Sequence, residues 1–143
     1  MIIKASYDKE EGLIRIPCIV KAQHKRIQTD FVFDTGSSET LLNFTDSMRL
    51  MIPRGQKSET IRIGGKTYQG YDFNKSTIIF KTTDDNLVEF SFPIKTLKPL
   101  SSKIADFEEL DSFPNILGLN FLEQGLKFVC DIKNNNIYFE KIE

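Results

Sequence analysis

The chain is predicted to be all-β, and two observations carry that prediction. Its 143 residues include 17 Ile and 12 Phe against only 3 Ala, and β-branched and aromatic side chains fit a pleated surface where Ala would fit a helix. The apolar residues also fall into short runs joined by polar connections of hairpin length. The length suits one domain with its own core and is too short for two ordinary ones, so residues 1–143 are expected to form one domain. With 40% apolar and 27% charged residues, the composition is that of a soluble globular protein, neither disordered nor membrane-embedded.

Residues 13–21 (LIRIPCIVK) and 26–33 (RIQTDFVF) read as paired strands across Ala22-Gln23-His24-Lys25. In the second strand Ile27, Thr29, Phe31 and Phe33 share one face and Gln28, Asp30 and Val32 the other. The alternation ends buried at Val32-Phe33 and runs straight into Asp34-Thr35-Gly36-Ser37-Ser38. After Leu41-Leu42, residues 45–50 carry a capping threonine and an early acid, which predict a short helix limited by Pro53. Residues 61–68 (IRIGGKTY) predict a hairpin, because Gly64-Gly65 permits the positive φ angles of a primed turn. Ser76 to Phe80 and Leu87 to Ile94 predict a further strand pair around Thr83-Asp84-Asp85-Asn86. From Thr96 to Asn115 the pattern is irregular and reads as a surface excursion, with a helical turn over residues 103–110. Ile116-Leu117-Gly118 predicts a brief strand and Leu119 to Gln124 a short helix closed by Gly125. Residues 126–130 and 137–140 complete a last hairpin, whose turn Asp131 starts.

Composition removes several chemistries. The net charge of -1 creates no field that would collect nucleic acid or anionic lipid, so neither is an expected partner. The single histidine, His24, lies in a polar turn and is poorly placed for a Ser-His-Asp or Cys-His arrangement. Cys18 and Cys130 are widely separated, signal neither a zinc site nor a disulfide framework, and suit a reducing, cytoplasmic location. No segment approaches the length of a membrane span. Asp84-Asp85 and Glu108-Glu109 with Asp111 read as solvated surface rather than metal ligands, and no metal or cofactor is expected.

A carboxylate at the end of a buried strand is costly to ionise unless donors surround it. Asp34 is followed by Thr, Gly, Ser and Ser, a donor-rich shell in which Gly36 allows close backbone approach. Three residues alone would equally suit an Asx-turn that closes a corner. The wider segment, Phe33-Asp34-Thr35-Gly36-Ser37-Ser38-Glu39-Thr40-Leu41-Leu42, resembles the active-site segment of aspartic peptidases. Downstream, Ile116-Leu117-Gly118-Leu119-Asn120-Phe121-Leu122 resembles that family's second element, and the Gly-Gly hairpin lies between them where the family has its flap. In order and spacing the resemblance is to the retropepsin-like group of single-domain homodimeric aspartic peptidases, over roughly residues 12 to 140.

The resemblance implies a closed barrel-like acid-protease fold with a flap hairpin and one or two short helices. It implies an endopeptidase of peptide or protein substrates in which Asp34 is catalytic. Thr35, Gly36 and Ser37 would form the active-site loop and its dimer contact, with Thr35 bonding across the two-fold axis. Gly36, Ser38, Ile63, Gly64, Gly65, Ile116 and Leu117 would contact the substrate. Water attack on an amide needs one ionised and one neutral carboxyl, and this chain has a single Asp-Thr-Gly, so a homodimer follows. Where retroviral members carry Ala-Asp and Gly-Arg-Asn, this chain has Ser37-Ser38 and Gly118-Leu119-Asn120. Both halves of that ion pair are absent together, which leaves no buried charge unpaired. Ser37 is expected to donate to the outer oxygen of Asp34. Tyr68 and Tyr71 either lie over substrate or pack against their own sheet. The competing reading is a catalytically silent dimerisation or peptide-binding module on the same fold.

Overall fold

The computed structural model describes residues 1–143 apart from Arg54, Gly64, Lys75, Ser101, Ser102, Ser112 and Glu143, and apart from the side chains of Asp106 and Asp111. Strands dominate, as expected. The chain runs through β1 (Ile2–Lys4), β2 (Ser6–Asp8), β3 (Leu13–Ala22), β4 (Lys25–Phe33), β5 (Thr40–Leu42), α1 (Phe44–Arg49), β6 (Gln56–Ile63) and β7 (Lys66–Phe73). It continues through β8 (Ser76–Lys81), β9 (Leu87–Phe90), β10 (Ile94–Pro99), α2 (Ile104–Asp111), β11 (Asn115–Leu117), a 3-10 helix (Leu119–Gln124), β12 (Leu126–Asp131) and β13 (Asn136–Lys141).

The larger sheet follows the order β6-β7-β10-β5-β11-β4-β3-β8-β9, with β2 on β3, and the smaller one the order β1-β13-β12. An isolated bridge from Ile3 to Thr82 joins the two. β3 and β4 form the predicted hairpin, with Val32 opposite Arg15 and Lys25 opposite Ala22. Gln23 takes φ 54 in their turn, the left-handed geometry that matches strand twist. The burial of β4 follows the predicted faces, Ile27 and Phe31 inward and Gln28 and Asp30 outward, until both Val32 and Phe33 are covered.

The two sheets close around the larger of two apolar cores, and the phenylalanine excess fills it. Phe121 is fully buried, with ring centroids 5.2 Å from Phe80, 5.2 Å from Phe90 and 5.1 Å from Phe139. Phe33 meets Phe139 edge-on at 4.9 Å and lies tilted against Phe128 at 4.5 Å. Such tilted and edge-on pairs add to simple burial.

A second, smaller core corrects the expectation of a surface excursion after Thr96. β10 is an interior strand, antiparallel to β7 and parallel to β5. Leu97 and, on α2, Leu110 are buried against Leu41 and Tyr68, with Ile61, Ile63, Phe113 and Ile116 around them. Ile94 belongs to this strand rather than to the one before it, since β9 ends at Phe90. The pairing is non-local, which is why the local pattern looked irregular. Tyr68 and Tyr71 are both buried, so they pack with their own sheet. α1 is capped two residues earlier than predicted, by Asn43 instead of Thr45: Asn43 Oδ1 accepts the Asp46 N–H at 2.7 Å. Among the described residues no helix is long and apolar enough to cross a membrane.

Candidate active site

The short β11 organises the site. It runs parallel to β4, with Leu117 beside Phe33, and antiparallel to β5, with Ile116 opposite Leu41. It thereby lies between the two strands that flank the Asp34–Glu39 loop. Its position is fixed from behind by Asn115, which is buried. Asn115 Nδ2 donates to the buried Asp46 carboxylate at 2.7 Å and to the Asp30 carbonyl at 3.1 Å, while its Oδ1 accepts the Asn43 N–H at 2.7 Å. Thr29 Oγ1 and the Arg49 guanidinium complete the set around Asp46, at 2.6 and 2.9 Å. A buried carboxylate needs such donors.

At the end of β4 the Asp34 N–H donates to the Leu117 carbonyl at 3.1 Å, and the chain then turns away, leaving the Asp34 side chain exposed. Its Oδ1 accepts the Gly36 N–H at 2.8 Å. A side chain at Gly36 would bring its Cβ to 3.1 Å from that same oxygen, so glycine leaves the carboxylate room. Asp34 and Thr35 open onto a cleft of about 480 Å³ together with Val32, Pro114 and Ile116. Thr35, Gly36 and Ser38 are likewise exposed.

The second sequence element clamps this loop from below. Leu119 N–H donates to the Ser37 carbonyl at 2.8 Å, and Asn120 N–H to the Ser38 carbonyl at 3.1 Å. Thr40, fully buried, donates through Oγ1 to Asn120 Oδ1 at 2.7 Å and accepts the Gly118 N–H at 3.1 Å. Asn120 Nδ2 reaches on to the Pro93 carbonyl at 3.0 Å. Thr40→Val keeps the shape and removes both of these bonds, leaving a buried N–H without its acceptor. The expected cost is about 1–3 kcal/mol, seen as a lower urea midpoint at unchanged slope; an unshifted midpoint would show that Thr40 does not brace the loop.

Two residues, Ser37 and Leu117, depart from the roles expected of them. The Ser37 hydroxyl donates to the Glu39 carbonyl at 2.7 Å, and a hydroxyl has one proton to give, so it braces the loop instead of reaching the outer oxygen of Asp34. Leu117 is fully buried in the main core, because strand alternation turns it away from the face that carries Ile116; it is not a cleft residue. Gly64 lies outside the described residues, while Gly65 next to it takes φ 85 in the hairpin turn with open space around it. Ile63 is half-buried and belongs to the second core.

Sequence reasoning assigned no role to Thr40, Asn120, Glu39 or Lys95. Lys95 on β10 pairs with Glu39 at 2.9 Å and stands 3.9 Å from Asp72 on β7. This ion pair ties the Asp34 loop to the sheet one residue beyond Ser38, where the retroviral pair is missing. The available signal was Thr40 itself, a polar residue beside Leu41-Leu42 in an otherwise buried strand.

The remaining nucleophile and ligand candidates lie elsewhere. Burial pushes the Cys18 thiol up, far from the thiolate range, and Cys130 and His24 are exposed. Among the described residues no group of three or more His, Cys, Asp or Glu could hold a metal ion. Asp84 accepts the Thr82 hydroxyl within its turn, and Asp131 accepts from Asn134 in the last hairpin.

No protein-family model matches the chain, and no curated protein matches its sequence. Solved structures do. A retropepsin-like aspartic protease from Rickettsia conorii superposes over 99% of this chain and 89% of its own, with a TM-score of 0.58 at 18% identity. The EIAV protease complexed with the inhibitor HBY-793 covers 81% of this chain and 93% of its own, at a TM-score of 0.48 and 19% identity. The Rickettsia comparison spans both sequence elements and nearly the whole strand order between them. The chain has the retropepsin-like aspartic protease fold.

Proposed function

We propose that residues 1–143 form one domain, two copies of which assemble into an aspartic endopeptidase with Asp34 of each copy facing the other. The carrying observation is an exposed carboxylate at the end of a buried strand, oriented by the Gly36 N–H at 2.8 Å and held on a loop clamped to β11 and the 3-10 helix. The Gly36 bond is the one an Asx-turn makes, so what favours chemistry over corner closure alone is that the clamped loop leaves the carboxylate exposed on a cleft.

In this reading the ionised Asp34 takes a proton from water as the water oxygen attacks the peptide carbonyl carbon. The neutral Asp34 of the other copy protonates the carbonyl oxygen, giving a tetrahedral diol. Proton return to the amide nitrogen then breaks the C–N bond. As established for aspartic protease dyads in general, two carboxyls at about 3 Å cannot both ionise, so the pair keeps one proton. Thr35 would bond across the two-fold axis. The β6–β7 hairpin would act as the flap, and with Gly36 and Ser38 would hold an extended peptide by its backbone. Both cysteines are free thiols, which supports a cytoplasmic setting.

The test is hydrolysis of an unfolded protein with and without a statine-type transition-state analogue, followed over serial dilution. Inhibitable cleavage whose rate per chain falls as the dimer dissociates is the expected result. Constant activity per chain from a species that sediments as a monomer would refute the shared site, and no cleavage at any pH would refute the peptidase.

A further inference from the structure

Asp46 is a buried carboxylate that the hydrolytic steps do not use. It is the third residue of α1 and is 4% exposed. An acid in the first turn of a helix is favoured by the helix dipole without leaving water, yet this one turns inward. A carboxylate at the third position ordinarily reaches back to accept the N–H of the capping residue. Here the Asn43 N–H goes instead to Asn115 Oδ1 at 2.7 Å, Asn115 Nδ2 donates to Asp46 Oδ2 at 2.7 Å, and the Asp46 N–H returns to Asn43 Oδ1 at 2.7 Å. A side chain of β11 is thus inserted into the cap of α1, closing a ring of three bonds.

The ring couples α1 to the Asp34 loop. Asn115 cannot move away without leaving a buried carboxylate short of a donor, which is costly. Its cation, Arg49, has a half-exposed side chain and bonds to Oδ1, so Oδ2 depends on Asn115 and on the Thr29 hydroxyl at 2.6 Å. Two residues beyond Asn115, the Leu117 carbonyl accepts the Asp34 N–H at 3.1 Å, and the next turn holds the Ser37 and Ser38 carbonyls through Leu119 and Asn120. Strand alternation places Asn115 on the face of β11 opposite Ile116, which lines the cleft. Asp46 therefore holds β11 from the side that substrate does not reach.

We infer that Asp46 is a positioning residue for the reaction, which keeps the Asp34 carboxylate in register through Asn115 and β11 without touching substrate. The inference rests on the peptidase reading and deepens it. What the position requires is an acceptor oxygen at Oδ2. An asparagine at 46 keeps that oxygen for Asn115 and Thr29 and turns its amide toward Arg49, which is free to withdraw into water. An alanine or serine cannot span to Asn115, so β11 relaxes and the Asp34 loop moves with it.

The experiment compares kcat, KM and native-state amide exchange in the native chain, Asp46→Ala and Asp46→Asn, with Asp46→Ser as the second disrupting variant should Asp46→Ala fail to fold. Asp46→Ala is expected to lower kcat about tenfold to a hundredfold, the scale of a displaced catalytic group, while KM changes by less than about threefold. The Asp34, Leu119 and Asn120 amides are expected to exchange about tenfold or more faster while those of the β12–β13 pair keep their protection. A general loss of stability would move all of them together. Asp46→Asn is expected to bring kcat and the loop amides back to within about threefold of native. A native kcat in a folded disrupting variant, a fall carried by KM, loop amides that keep native protection, or an Asp46→Asn protein as impaired as Asp46→Ala overturns the positioning role and leaves the peptidase standing. If the native chain does not cleave, selective loosening of the loop amides that Asp46→Asn reverses supports the hold on the loop and overturns the peptidase. Absence of cleavage with unchanged exchange overturns both.

Discussion

Asp34→Asn is expected to lower kcat/KM for peptide hydrolysis by roughly 10²–10⁴-fold or more, the scale set by losing a general base at the reacting water. An amide has no lone pair basic enough to take that proton, and in a dimer the change removes both members of the proposed dyad at once. The fold should survive it. Asp34 is exposed, and among the described residues its side chain makes one bond, acceptance of the Gly36 N–H at Oδ1, which the asparagine carbonyl oxygen can also accept. Stability should therefore stay within about 0.5 kcal/mol of the native chain. Thermal melts and kcat/KM on the same preparation decide the matter: a normally melting Asp34→Asn protein that still cleaves within about tenfold of the native rate would mean that hydrolysis uses another group.

What could be read from the sequence, and what could not, divides along the range of the interactions. The approach of β4 to Asp34 was legible because alternation over residues 27–33 is a local property, and the observed burial follows it. The two motifs were legible because Gly36 and Gly118 each answer a steric demand that leaves glycine in the chain. The brace between them was not. Thr40 bonds to Asn120 and Gly118, and Lys95 to Glu39, across separations that periodicity does not register. β10 was misread for the same reason. Its partners, β5 and β7, lie far along the chain. Ser37 shows a different failure: its residue type permitted a bond to Asp34, but the backbone turn offered the Glu39 carbonyl at 2.7 Å first. Leu117 fails by parity alone, since one residue along a strand exchanges cleft for core.

The largest expected effect on folding is that of Gly118→Ala. Gly118 has φ -92 and ψ -177, ordinary extended backbone, so conformational freedom is not what requires glycine there. Space is. A Cβ at this position would lie 2.2 Å from the Glu39 carbonyl oxygen, 2.5 Å from its carbon and 2.8 Å from its nitrogen. Backbone cannot yield as a flexible side-chain end would, so β11 and the Asp34 loop must separate. Separation strains the bonds from Leu119 to Ser37, from Asn120 to Ser38 and from Gly118 to Thr40 together. Overpacking costs about 1–3 kcal/mol, and each buried bond lost adds about 1 kcal/mol, so a loss of roughly 3 kcal/mol or more is expected in urea unfolding. A loop displaced by about 1 Å should also cost on the order of 10²-fold in kcat/KM in whatever fraction stays folded. Gly125→Ala is the control, because Gly125 has φ 85 with open space around it: it should cost about 1 kcal/mol through backbone strain alone and leave kcat/KM unchanged. If Gly118→Ala matched Gly125→Ala in both readouts, close packing of β11 on Glu39 would not be what holds Asp34 in place.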